Sequence, residues 1–237
     1  CLGENGKKFS YFPILIKLID ARDDLSVQVH PNDEYALKVE GEYGKTEMWY
    51  IVDCEEGAAL YYGFKEEISK EEFREKIADN TITDVLNRVP VKKGDVFFIP
   101  SGTIHAIGRG ILIAEIQQNS NTTYRVCDYG RLGADGKPRP LHIDKAVEVT
   151  NLTPPPASKD LSSGTLAECE YFKVRLFSTD KQKEIEVDNA SFASLLCLEG
   201  EVSFDGVTLV KGDCAFIPAN RGKITFKGSA TLIESRV

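Results

Sequence analysis

The sequence predicts an all-β protein made of two jelly-roll lobes, with a short helical insertion in the first. Short apolar runs bounded by Gly, Pro, Asp and Asn recur from PILIKLI near the start to ATLIES near the end, which is the pattern of many short strands. One phrase occurs twice, as KKGDVFFIPSGTIHAIGRG from Lys92 to Gly110 and as VKGDCAFIPANRGKITFKG from Val210 to Gly228. Both copies read as strand, tight Gly-Asp turn, strand and Pro-led turn, and they imply two modules of similar build. Between them lies the one Pro/Ser-rich stretch, NLTPPPASKD from Asn151 to Asp160, which places the lobes at 1–152 and 153–237.

The elements follow in order. PILIKLI, LSVQVH, EMWYIVDC and AALYYG are four strand candidates rich in β-branched and aromatic residues. SKEEFREKIADN then breaks the pattern: Ser69 and Glu72 form a capping box, and Phe73 and Ile77 stand four apart on one helical face. TITDVLNRV continues it with Val85, Leu86 and Val89, so the helical insertion is expected over about 66–88. DVFFIP, ILIAEIQQ and TYRVCDY return to strands, and YFKVRLF, FASLLCLEG, VTLVKGD and AFIPA supply the second lobe.

Composition bounds the function. The chain has 237 residues, 42% of them hydrophobic, enough for a substantial core. Its net charge is -8, from 37 acidic and 29 basic residues, and no Lys/Arg stripe is interleaved with aromatics, which argues against nucleic acid or an anionic membrane as partner. A small anionic substrate stays compatible, because two or three local cations can hold a phosphate. The six cysteines are scattered without a C-x-x-C, as expected of reduced thiols in a cytoplasmic protein. No apolar run approaches the roughly 18 residues of a membrane span.

Two of the three histidines fall in informative places. In LSVQVHP, Ser26, Gln28 and His30 alternate, so a strand puts them on one face and Leu25, Val27 and Val29 on the other. That polar face reads as a ligand site or as a solvent-exposed surface. Lys45 and Glu47 share a face at the start of EMWYIVD, as part of a site or as an exposed ion pair. His105 follows a Pro-x-Gly turn that aims it into a cavity. Gln28, His30, Glu47 and His105 together offer two nitrogens and two oxygens, a set suited to zinc and also to iron, manganese or nickel. His142 has no partner spacing and reads as a surface or helix-start residue, while Asp128 and Arg131 read as a loop salt bridge.

The spacing Gly94, Pro100, Gly102, His105 resembles the second metal motif of the cupins. With Q-V-H-P at Gln28 to Pro31, G-K-T-E at Gly44 to Glu47 and Q-N-S-N-T-T-Y-R at Gln118 to Arg125, the chain is similar over essentially its whole length to the type I mannose-6-phosphate isomerases, closest to the short bacterial form. The resemblance implies two cupin-like lobes and a zinc held by Gln28, His30, Glu47 and His105. It implies a sugar-phosphate pocket containing Ser26 and Lys45, a catalytic role for Arg125, and a carboxylate at Glu115. The reaction it implies interconverts mannose 6-phosphate and fructose 6-phosphate through an enediol, with Lys45 and Arg125 stabilising charge or placing the phosphate. For the general base Glu115 is the candidate, with a metal-bound water or hydroxide as the rival.

Family members begin several tens of residues upstream, and this chain starts at Cys1 without an initiator Met. Two readings therefore stand side by side: a chain whose upstream part lies outside this sequence, and a shortened protein with a rebuilt metal lobe. The second copy of the repeated phrase has no histidine, which implies a structural C-terminal lobe without a metal site. Two other functions compete: a metal-dependent oxygenase, disfavoured by Gln28 and the cations Lys45 and Arg125, and a non-catalytic or regulatory sugar-binding cupin derived from the isomerase. The oligomeric state is open between monomer and weak dimer.

Overall fold

The computed structural model describes residues 1–133, 135–156 and 164–237. The chain divides into two compact units, one formed by Leu15–Ser158 and the other by Cys1–Ile14 with Lys159–Val237. The first fourteen residues thus group with the C-terminal unit and not with the lobe expected over 1–152. Backbone hydrogen bonds from Glu4 and Asn5 to the carbonyls of Asn189 and Ala190, and the Phe12 ring 5.3 Å from that of Phe192, account for the grouping. The expected Pro/Ser-rich boundary lies outside the described residues from position 157 on.

The larger unit is two antiparallel sheets face to face. Its strands are β1 (Ile14–Ala21), β2 (Val27–Val29), β3 (Glu47–Cys54), β4 (Ala59–Phe64), β5 (Leu86–Pro90), β6 (Val96–Ile99), β7 (His105–Ala106), β8 (Ile111–Gln118) and β9 (Tyr124–Cys127). One sheet runs β1-β8-β3-β6 and the other β5-β4-β7-β2-β9. Trp49, Ile51, Leu60, Ile107 and Ile113 form the inner core. Three short helices, α1 (Asp33–Val39), α2 (Lys70–Ala78) and α3 (Ile143–Val149), complete the unit. Phe73 and Ile77 of α2 and Ala146 and Val147 of α3 bury themselves against Val27, Val29, Phe64 and Val126. Val27 and Val29 therefore face the helices, and the pleat turns Gln28 the other way, into the barrel.

The helix α2 starts as the capping box requires, with Ser69 Oγ accepting from the Glu72 amide at 3.0 Å. The helical reading ends too late, however. After α2 only a 3-10 turn at Ile82–Val85 follows, and Leu86–Pro90 is strand β5, paired with β4. Leu86 and Val89 have helix-compatible spacing, but each fills a different core, one on either face of the sheet. The Asn87 amide donating to the Phe64 carbonyl at 2.6 Å fixes the extended form.

The smaller unit is one seven-stranded antiparallel sheet, β10 (Thr165–Glu168), β11 (Lys173–Thr179), β12 (Gln182–Val187), β13 (Ala193–Phe204), β14 (Val207–Val210), β15 (Cys214–Ile217) and β16 (Gly222–Arg236). The repeated phrase makes the same turn in both units. Asp95 Oδ2 accepts from the Lys92 amide at 2.9 Å, and Asp213 Oδ2 from the Val210 amide at 3.0 Å. Gly94 at φ 90° donates to the Ile51 carbonyl, and Gly212 at φ 92° to that of Cys197. Only glycine takes this backbone conformation without strain. The shared register pairs Glu47 with Ile99 and Ala193 with Ile217, so the second unit has alanine where the first has Glu47.

Candidate functional site

One cross-strand row organises the inner face of the five-stranded sheet. His105 on β7 is register partner to Tyr62 on one side and Gln28 on the other, and Gln28 is partner to Arg125 on β9. Residues directly opposite across neighbouring strands share a face, so these four side chains point the same way. From the facing sheet come Glu47 and Trp49 on β3, opposite Gln117 and Glu115 on β8. His30 follows β2, and Lys45 precedes β3 with its amide held by the Pro31 carbonyl at 3.0 Å.

His30, Glu47 and His105 are buried, with ligand atoms all within 4.8 Å of one another, the one such set found among the described residues. His105 Nε2 is 3.3 Å from Glu47 Oε1, and His30 Nε2 is 3.7 Å from Glu47 Oε2. Both rings have a fixed tautomer: His30 Nδ1 meets the Thr122 carbonyl at 2.9 Å and His105 Nδ1 the Thr103 carbonyl at 2.8 Å. A carbonyl only accepts, so each Nδ1 carries the proton and each Nε2 turns its lone pair to the centre. Burial, reinforced by Lys45, holds both imidazoles neutral, with His105 pushed down to about 4 and His30 held well below its usual range.

Glu47 is the strained member. Burial pushes its carboxyl up, against the pull of the Lys45 ammonium 2.5 Å away. That contact is a close ion pair without hydrogen-bond geometry, and neither Glu47 oxygen has a hydrogen-bond partner. A buried carboxylate with two orphaned oxygens, facing two neutral imidazole nitrogens, fits a divalent cation. The Gln28 amide nitrogen lies 3.3 Å from His105 Nε2, and Ser26 Oγ donates to the amide oxygen at 3.5 Å. A half-turn of the amide exchanges its two atoms, presenting the oxygen to the centre and a donor to Ser26.

Beside this set runs a chain of charge. Lys45 Nζ reaches Glu115 Oε1 at 3.7 Å and His30 Nε2 at 3.2 Å. Burial would lower the Lys45 ammonium, but Glu47 and Glu115 outweigh it and raise it. Burial would likewise raise Glu115, but Lys45 and Lys17 hold it below the usual carboxylate range. Trp49 Nε1 donates to Glu115 Oε2 at 3.0 Å, and Lys17 Nζ to Glu115 Oε1 at 3.0 Å and Gln117 Oε1 at 2.5 Å. Lys17, Trp49 and Gln117 are absent from the sequence-based set. A lysine in the middle of the apolar run PILIKLI was the signal for Lys17.

Arg125 is partly buried, donates from Nη1 to the Pro140 carbonyl at 3.2 Å, and leaves Nε without an acceptor. Burial and neighbouring Arg139 lower its guanidinium. Asp128 is bound by both Arg131, at 2.7 Å, and Arg139, a loop cluster as the sequence indicated. His142 is the N-cap residue of α3, and its Nδ1 accepts from the Arg125 amide at 3.2 Å. No helix among the described residues is long and apolar enough to cross a membrane.

An inward-facing His-Glu-His set between the two sheets of a small barrel defines a cupin with a candidate metal centre. Comparisons with known proteins narrow that class. Residues 3–59 match the family described as phosphomannose isomerase type I, catalytic domain, and residues 162–237 the mannose-6-phosphate isomerase cupin domain. Mannose-6-phosphate isomerase ManA of Bacillus subtilis is 43% identical, over 95% of this chain and 75% of its own length. Mannose-6-phosphate isomerase of Streptococcus mutans is 40% identical, over 96% and 75%. The crystal structure of the Bacillus subtilis mannose 6-phosphate isomerase superposes with a TM-score of 0.88 at 39% identity, covering 98% of this chain and 77% of that one. The chain belongs to the type I mannose-6-phosphate isomerases, and like them it is an enzyme.

Proposed function

We propose that this isomerase interconverts mannose 6-phosphate and fructose 6-phosphate with one zinc ion held by Gln28, His30, Glu47 and His105. The observation that carries the proposal is the convergence of two proton-free Nε2 atoms on the two orphaned oxygens of Glu47. The ion would supply polarisation of the sugar carbonyl. The rest falls to side chains. One proton moves between C1 and C2 through an enediol, and a second between the two oxygens.

Glu115 is the proposed base, kept ionised by Lys45, Lys17 and Trp49 and so ready to take the carbon-bound proton. Lys45, charged and buried among the ligands, stabilises negative charge growing on the reacting oxygens. Arg125 shares the Gln28 face and has a free Nε–H, which suits it to an enediolate oxygen or the phosphate. Ser26 is the proposed hydroxyl or phosphate contact at the edge of the row. The six free thiols suit a reducing, cytoplasmic setting.

The test is metal analysis together with turnover of mannose 6-phosphate before and after chelation. Activity lost on chelation and restored by zinc is expected; undiminished turnover in metal-free protein overturns the reading. Glu115→Gln should lower kcat by about 10²–10⁴ with zinc still bound. Near-normal kcat would remove Glu115 from the role of base.

A further inference from the structure

The smaller unit repeats the charged corner of the larger one in a different chemistry. In the larger unit β3 and β8 pair Trp49 with Glu115, and Lys17 on β1 reaches over to that carboxylate. In the smaller unit β13 and β16 pair Leu195 with Glu234, and β11 brings Arg175 opposite the same Glu234. Two residues beyond Glu115 stands Gln117, and two beyond Glu234 stands Arg236. The corner that faces the candidate metal in one unit is therefore an Arg-Glu-Arg cluster in the other.

That cluster borders a cavity of about 660 Å³, within the range of roughly 300–1,000 Å³ typical of small-molecule sites. Glu234 is only 1% exposed, and it accepts from Arg175 Nε at 2.9 Å and Arg236 Nε at 2.8 Å. One carboxylate faces two guanidiniums, so a positive charge is left over. Neither Nη1 atom has an acceptor among the described residues. Lys183 adds a third cation to the lining, its ammonium 5.0 Å from the Phe177 ring centroid. Lys173, Glu184 and Glu186 line the cavity as well, Lys173 paired with Glu168 at 2.9 Å and Glu184 with Lys223 at 3.0 Å, so four cations face three carboxylates and one positive charge remains. Phe177 and Ile185 give the same cavity an apolar wall.

Surplus positive charge, unused planar donors and an apolar wall describe a receptor for an oxyanion carrying a small organic body. We propose that the C-terminal unit is itself a ligand site, taking a small phosphate ester whose oxyanion bridges Arg175 and Arg236. Glu234 presets the two guanidiniums side by side, and Lys183 meets a further phosphate oxygen. A planar carboxylate has oxygens for one such fork, whereas a phosphate has three for the diverging donors of two arginines and a lysine. The unit without a metal site thus keeps a binding mouth.

Inorganic phosphate is the probe. It is titrated into the zinc-loaded full chain at constant ionic strength, with chloride as balancing anion, while the ¹⁵Nε–H signals of the arginine side chains are followed by NMR. Arg175 and Arg236 should shift together and saturably, with a dissociation constant below about 10 mM. Arg175→Gln, in which Arg236 still pairs Glu234, should weaken that saturation roughly tenfold and leave isomerase kcat unchanged. Lys183→Gln, on the neighbouring strand β12 and outside the Arg-Glu-Arg pairing, should weaken it in the same direction and guards against a folding defect in the first variant. Shifts confined to Arg125, or no saturation at Arg175 and Arg236 up to about 50 mM, would overturn the proposal.

Discussion

Lys45→Met tests the electrostatics of the centre most directly. The side chain is 5% exposed and its ammonium lies 2.5 Å from Glu47, itself fully buried. At that distance and an effective dielectric of about 20, the attraction is about 6–7 kcal/mol. Desolvation of both groups offsets part of it. Removing one partner of a buried pair costs about 3–5 kcal/mol net, because the other charge is left stranded. Here Glu47 is the stranded charge, since Glu115, which Lys45 also reaches, keeps its pairing with Lys17 at 3.0 Å. For a chain of this size the loss corresponds to about 6–20 °C in the melting temperature of the metal-free protein. In saturating zinc the gap should narrow, as a cation again faces Glu47. Calorimetry of wild type and variant, with chelator and with zinc, gives both numbers. A chelated variant within about 1 kcal/mol of wild type, the worth of an exposed pair, would refute the buried-pair reasoning.

Gly102→Ala should destabilise the larger unit by about 1–3 kcal/mol, the usual cost of a left-handed non-glycine residue. Its φ is +85°, and an added Cβ would lie 2.8 Å from Asn151 Nδ2 and 3.0 Å from the Val149 carbonyl. Zinc affinity should fall with stability, as read by chelator competition; unchanged affinity would count against the loop's part in placing the ligands. Asp128 gives the acid limb of stability. Burial would raise its carboxyl, but Arg139 and Arg131 outweigh it and hold it below the unfolded value. The cluster's stabilisation is therefore full above the unfolded pKa of about 3.9 and is lost as pH falls through the lower folded value. Denaturant titrations of wild type and Asp128→Asn from neutral to pH 2 should diverge most at neutral pH and converge at the acid end; parallel curves would contradict the assignment.

What could be read from the sequence was whatever depends on local spacing. The Gly-Asp turn needs only residues 92–96 to form, so it was legible in both copies. Gln28 and His30 were visible as one face because a strand has period two. The Ser69 cap was visible because its partner is three residues away. What failed depended on partners distant in the chain. Leu86 and Val89 carry a spacing that helix and strand can both use, and pairing with β4 decided between them. Lys17 lies 98 residues from Glu115, and only the β1-β8-β3 order brings the two together. The Arg175-Glu234-Arg236 cluster was hidden for the same reason, and likewise the attachment of residues 1–14 to the C-terminal unit.

The turn after β6 does more than deliver His105. The Gly102 amide donates to the main-chain carbonyl of His30 at 2.8 Å, and the next residue, Thr103, offers its carbonyl to the His105 ring. The backbone of His30 and the ring of His105 are thus tied to two successive residues of one loop, which the Asn151 amide clasps in turn through the Gly102 carbonyl at 2.8 Å. A shift of this loop therefore disturbs both ligands at once, the His30 main chain and the His105 ring. The residence time of a bound ion should accordingly be a property of that loop's rigidity as much as of the donor atoms.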